Sequence, residues 1–197
     1  MDQEYTFRNA LIVELLAVFP IMLYHRIKAH RSREPLDRRQ EGWFILLTLR
    51  PLGLAMWVGV IAFLIDPANM AWSSVPLRAW MRWTGIGICA AGGGLLTWTL
   101  GRLGKNLTDT VVTRREHTLV TRGPYRFVRH PFYDAAALFW IGISLAAANW
   151  FLLAVGSGVV ALLAWRTPTE EANLLARFGA PYQDYLDRTG RFIPKNW

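Results

Sequence analysis

Only one of the 197 residues is cysteine, Cys89, and only four are histidine. A single thiol excludes a disulfide within the chain and a cysteine metal framework, so no metal is expected, and the redox compartment stays open. Charge is also scarce, at 18% of residues, and acids are the scarcer sign, 14 against 22 Lys and Arg, for a net charge of +8. The N-terminus lacks the basic region of a cleavable signal: Asp2 and Glu4 precede the first apolar run and no small-residue cleavage site follows it. That run is therefore expected to remain as a helix. No internal repeat and no low-complexity linker divides the chain.

What is abundant is apolar and aromatic surface. Fifty-three per cent of residues are hydrophobic, 13% are aromatic, and ten are tryptophan, which is a membrane composition. Apolar runs over residues 7–24, 43–65, 79–100 and 135–165 each exceed an ordinary core helix and reach across hydrocarbon. The last is long enough for two crossings, and Asn149 near its middle predicts a tight helical hairpin. The expected fold is all-α, a polytopic integral membrane protein with five transmembrane helices. Three lie in residues 1–104. A polar loop, the hairpin and short C-terminal helices lie in residues 105–197.

The basic residues sort by loop. Residues 26–39 carry six, 102–129 seven and 166–195 five, whereas 66–78 carry one and the turn at Asn149 none. Five crossings gather eighteen cations on one side, which the positive-inside rule makes cytoplasmic, leaving the N-terminus external and the C-terminus cytoplasmic. A charge so distributed suits topology and anionic membrane lipids and excludes nucleic acid as the expected partner. Small residues in "GIGICAAGGG" predict close helix approach. Glu14 and Arg50 fall inside spans, where an ionisable group demands a partner; they are either an interhelical pair or substrate-lining.

"LVTRGPYRFVRHPFY", residues 119–133, places Tyr125, His130 and Tyr133 among cations and beside Gly123-Pro124 and Pro131. Such a loop has a set shape and offers rings, an imidazole and backbone groups. It is either a site for a nucleotide-like ligand or a stop-transfer and helix-start signal. Further on, "PTEEANLLARFGAPYQDYLDRTGRF" predicts a short amphipathic cytosolic helix ended by Gly179. A second short helix around Tyr182 and Tyr185 is expected to lie back on the membrane surface or on the preceding loop.

The order "NLTDTVVTRREHTLVTRGPYRFVRHPFY", a helical hairpin, then "WRTPTEEANLLARFGAPYQDYLDRTGRFIP" resembles the isoprenylcysteine carboxyl methyltransferase family and related membrane phospholipid methyltransferases, over residues 106–194. The resemblance implies an S-adenosylmethionine-dependent methyltransferase whose cofactor binds at the cytosolic face and whose lipophilic methyl acceptor enters from the bilayer. It implies cofactor contacts at His117, Thr118, Leu119, Val120, Tyr125, His130, Pro131, Phe132, Tyr133 and Glu170, and an acceptor-binding arginine at Arg166. Arg166 and His130 are the candidate catalytic residues. Asn106 is a further substrate-binding candidate, or a turn cap.

The chain departs from the family pattern after "HPFY", where Asp134-Ala135 replaces a small or apolar residue followed by glycine; an acid beside the pocket would suit a cationic acceptor or a base. A carboxylate acceptor needs no base, whereas an amine headgroup would make His130, Asp134 or Glu171 candidate bases. Two alternatives carry different ligands: an NADPH-dependent membrane sterol-reductase-like oxidoreductase, for which the loop lacks a glycine-rich phosphate cradle, and a nonenzymatic membrane binding protein.

Overall fold

A computed structural model of the protein describes residues 2–30, 43–103 and 118–195. Among them are six α-helices, α1 (Asp2–His30), α2 (Trp43–Ile65), α3 (Ala79–Leu103), α4 (Pro131–Ala146), α5 (Trp150–Phe178) and α6 (Ala180–Arg188), with 3-10 turns at Pro67–Ser73 and Gly123–Arg126. By length and composition α1 over Gln3–Lys28, α2 over Leu47–Ile65 and α5 can cross a membrane, and α4 is a shorter apolar helix. α3 has 25 residues, but its glycines, threonines and Arg82 dilute its apolar character. The outside of the bundle is apolar: Val13, Leu16, Leu47, Leu54 and Trp165 are each about two-thirds exposed. A surface of that kind faces lipid, and the protein is an integral membrane protein.

α3 and α4 approach most closely, and glycine permits it. A Cβ on Gly142 of α4 would lie 2.3 Å from the Cys89 backbone nitrogen of α3, and one on Gly92 would lie 2.5 Å from the Phe139 nitrogen. Backbone-to-backbone contact at this range is what small residues contribute where lipid removes the hydrophobic drive for helix association. Cys89 is fully buried in this seam.

The α4–α5 hairpin turns where expected. Asn149 caps α5 by accepting from the Leu152 amide at 3.1 Å, and its own amide donates to Ser73 Oγ at 2.8 Å and Met70 O at 3.2 Å. The side chain that ends one crossing thus ties the hairpin to the turn after α2. Nearby, Arg82 is buried, donates to both Glu4 carboxylate oxygens at 2.6 and 2.9 Å and to the Ala146 carbonyl at 2.9 Å, and lies 4.1 Å above the Phe7 ring. A cation on the final carbonyls of α4 meets the negative end of that helix.

The C-terminal part corrects one expectation. The amphipathic stretch predicted as a separate cytosolic helix is the end of α5, which continues unbroken through Pro168 to Phe178. Proline removes the amide that would bond the Ala164 carbonyl, but the Thr167 hydroxyl donates to that same oxygen, so the helix continues. At about 1.5 Å per residue, α5 is longer than the hydrocarbon is thick and projects beyond it. One short helix, α6, follows, and it packs on the loop before α4.

Candidate active site

Gly123 starts the loop with φ +67, and a Cβ there would meet the Arg102 side chain at 2.7 Å; glycine alone suits both the backbone and the space. Pro124 is the second residue of the 3-10 turn, and Pro131 stands at the first position of α4, where a missing amide costs nothing. Between the prolines the loop is held from the C-terminal side. Tyr185 Oη donates to the Tyr125 carbonyl at 2.6 Å, the Arg129 amide to Gly190 O at 2.9 Å, and the His130 amide to Arg191 O at 3.1 Å.

Glu171 is the electrostatic centre of this junction. Its carboxylate accepts from Arg129 Nε at 2.8 Å, lies 3.2 Å from His130 Nε2, and pairs with Arg191, whose Nε is 3.2 Å from each of its oxygens. An ionised carboxylate only accepts, so the His130 proton is on Nε2 and directed at Glu171. Arg129 extends to the Leu186 and Thr189 carbonyls. The hydrogen bond with Glu171 holds the Arg191 guanidinium above its ordinary pKa. The loop, α5, α6 and the C-terminal segment of residues 189–192 therefore meet on one buried acid.

One helical position away, Glu170 points elsewhere. Tyr133 Oη donates to its Oε2 at 2.8 Å, and the Tyr133 ring lies parallel to His130 with centroids 5.4 Å apart and planes within 7°. Glu170, Tyr133 and His130 line a cavity of about 510 Å³ together with Leu119, Val120, Tyr125, Phe132 and Arg166. Arg166 has a buried Nε without a hydrogen-bond partner. Burial, with the Glu170 charge adding to it, pushes the Tyr125 phenol above its ordinary pKa, so it stays neutral and serves as a ring and a donor.

Eight of the residues expected from the loop and α5 thus converge: Leu119, Val120, Tyr125, His130, Phe132, Tyr133, Arg166 and Glu170. Pro131 is buried beneath the site, starting α4, and Thr118 is exposed outside the wall. His117 and Asn106 lie outside the described residues. Asp134 is half-buried on the first turn of α4 and does not line the cavity; its position places it on the face of α4 opposite Phe132 and Ala136. The sequence reading missed Arg129, Tyr182 and Tyr185 as wall residues, and it missed Phe19, Met22, Leu23 and Arg26 of α1 and Met56 and Trp57 of α2. The repeated acid of "TEE" and the tyrosine pair were visible signals; nothing in α1 or α2 marked their cavity residues apart from their lipid-facing neighbours.

The cavity has two unlike poles. One is polar and aromatic, with a carboxylate and a guanidinium a helical turn apart on α5; the other is apolar, built from α1, α2, α3 and α5. The first sets opposite charges and aromatic rings side by side; the second offers only apolar wall.

Residues 85–176 match the model of the isoprenylcysteine carboxyl methyltransferase (ICMT) family. The mouse protein-S-isoprenylcysteine O-methyltransferase is 30% identical over 133 residues, covering 64% of this chain and 46% of the relative. Protein-S-isoprenylcysteine O-methyltransferase B of Arabidopsis thaliana is 28% identical over 153 residues, covering 76% of each. The solved structure of the eukaryotic intramembrane Ras methyltransferase ICMT superposes with a TM-score of 0.52 at 26% identity, over 74% of this chain and 51% of that one. The chain spans about half the length of the mouse relative and of that solved structure. By family model, by curated relatives and by fold, the chain is similar to the isoprenylcysteine carboxyl methyltransferases.

Proposed function

We propose that this protein transfers a methyl group from S-adenosylmethionine to the carboxylate of a lipophilic acceptor at the cytosolic face of a membrane. The observation that carries the reading is the single cavity in which Glu170, Tyr133, Tyr125 and His130 adjoin Arg166, whose buried Nε has no protein partner, above an apolar chamber. A buried guanidinium donor left open is costly unless an anion meets it, which favours a carboxylate over an amine headgroup. The residues fit the methyl donor: Glu170, oriented by Tyr133, faces an ammonium, Tyr125 and Tyr133 cover an adenosine ring, and Leu119 and Val120 flank it. S-adenosylmethionine bound there would supply an electrophilic methyl group to the acceptor oxygen, and its thioether would leave with the electron pair of the carbon–sulfur bond.

The chain's part is alignment and exclusion of water. Arg166 holds the acceptor oxygen through directed donors, and the apolar wall of Leu163, Phe139 and Trp140 keeps the site dry. Attack of an anion on a cation loses charge, so a dry, preorganised pocket and correct alignment do most of the work. No base is needed for a carboxylate, in keeping with a His130 whose Nε2 is committed to Glu171. Five crossings place the N-terminus outside and the cavity's basic end in the cytoplasm, resting on anionic lipid.

The test is titration of the purified protein with S-adenosylhomocysteine and with NADPH, then incubation of N-acetyl-S-prenylcysteines and membrane lipids with methyl-labelled S-adenosylmethionine. Tight S-adenosylhomocysteine binding and a base-labile methyl ester are expected. NADPH binding in its place overturns the reading.

A further inference from the structure

The α4–α5 hairpin has two sides, and the active-site cavity takes one of them. On the other a groove of about 230 Å³ runs between the two helices, walled by Ala137, Ile141 and Ser144 of α4 and by Gly156, Ser157 and Ala161 of α5. Trp140 lines both spaces and is the partition between them. The groove opens toward lipid, since Ile141 and Leu153 on its rim are 40% and 42% exposed. From Ala137 to Ser144 it is seven residues long, about 10 Å. Asp134 stands at its active-site end, on the first turn of α4. It lies one turn before Ala137 and two turns before Ile141, so it shares their side of the helix. Its carboxylate is half-buried, and no hydrogen bond or ion pair reaches it among the described residues. His130, the titratable group that acts on it, is already hydrogen-bonded to Glu171. Trp165, one turn past Ala161 at the same end, is 67% exposed; a tryptophan so placed marks the level of the lipid headgroups.

We propose that this groove binds one acyl chain of a phospholipid whose headgroup carries a primary ammonium, with the ammonium on Asp134. The size fits a chain: an extended run of roughly eight methylenes spans its length. It does not fit a helix, which is about 10 Å across and fills about 800 Å³ over the same distance, so a neighbouring protein could touch only the rim. The charge fits an ammonium. A carboxylate without a partner at the edge of the hydrocarbon is costly, and a cation with N–H donors relieves it through a charge-assisted hydrogen bond. A choline headgroup brings the charge without the donor, and an anionic headgroup is repelled. An acyl chain gains little by leaving lipid for another apolar surface, so the groove fixes position while Asp134 selects the headgroup. The site is separate from the methyl-transfer reading, because it uses no residue of the active-site cavity except the far side of Trp140.

The experiment is native mass spectrometry of the full chain in detergent with equal amounts of palmitoyl-oleoyl phosphatidylethanolamine, phosphatidylcholine and phosphatidylglycerol. The wild type should retain phosphatidylethanolamine over phosphatidylglycerol by about fivefold, with phosphatidylcholine between them. Asp134→Asn should abolish that order, and Asp134→Lys should reverse it in favour of phosphatidylglycerol. Ala161→Leu, which fills the groove and leaves Asp134 in place, should lose the retained lipid whatever its headgroup. Ser157→Leu fills the groove from a neighbouring position and repeats the test if Ala161→Leu fails to elute as a monodisperse peak. A reversed order in one variant and a uniform loss in another cannot both come from general loosening. Retention indifferent to headgroup in the wild type, an order unchanged in Asp134→Asn, or full retention in the leucine variants overturns the site. A doubled chain mass that becomes single in Ala161→Leu overturns it as well, because the groove is then a seam between two copies.

Discussion

Glu170 and Glu171 are neighbours in sequence and about 100° apart around α5, so replacing each by glutamine should damage different things. Glu171→Gln keeps the shape but puts an amide where Arg129, His130 and Arg191 all converge on a carboxylate. The carboxylate is 9% exposed, the Arg129 side chain 11% and His130 6%. Removing the anion from a buried pair typically costs about 3–5 kcal/mol, because the cation stays behind. For a chain of this size that is a fall in Tm of about 10 °C. Glu170→Gln removes no such node: Glu170 accepts from the Tyr133 hydroxyl, and an amide oxygen can still accept that bond. It should leave Tm within about 2 °C while weakening S-adenosylhomocysteine by roughly 10- to 150-fold, the value of a lost charge-assisted bond to an ammonium. The assay is thermal unfolding in detergent paired with calorimetric titration of S-adenosylhomocysteine. The same profile in both variants, or a Tm loss confined to Glu170→Gln, would refute the division into a cavity-facing and a scaffold-facing acid.

Three more outcomes follow from the same geometry. Arg166→Ala should raise the acceptor KM or lower turnover by about 30-fold with little change in S-adenosylhomocysteine affinity, and Arg166→Lys should recover only part, since an ammonium lacks the planar fork; initial-rate kinetics on both variants checks it. Gly142→Val should force α4 off the Cys89 backbone and abolish the monodisperse peak in detergent size-exclusion chromatography, whereas the same change at Gly87, whose Cβ direction is open, should not. Tags at the two termini should be reached by protease from opposite faces of sealed vesicles, the C-terminal one from the cytoplasmic face.

Much of the architecture was legible in one dimension because a bilayer imposes a one-dimensional rule: every span must be long and apolar. The runs ended by Tyr24, Ile65 and Leu100 lie within α1, α2 and α3, and Asn149 marked the hairpin because a capping side chain is a local device. The loop from Leu119 to Tyr133 stood out for the same reason, since turn chemistry acts over a few residues, whereas Arg166 and Glu170 were implied by the family resemblance. Tertiary structure decided what depends on distant partners. Whether Glu170 or Glu171 faces the cavity is set by Arg129 and Arg191, which lie 42 residues before and 20 residues after Glu171. Pro168 removes an amide from the middle of α5, and the Thr167 hydroxyl on the Ala164 carbonyl helps carry the helix through it. Asp134, placed beside the pocket by its neighbours in sequence, is turned from it by the rotation of α4. The ring cluster is the extreme case: Phe19, Trp57 and Trp140 have the same composition as any lipid-facing span, and only the packing of three helices brings their rings together.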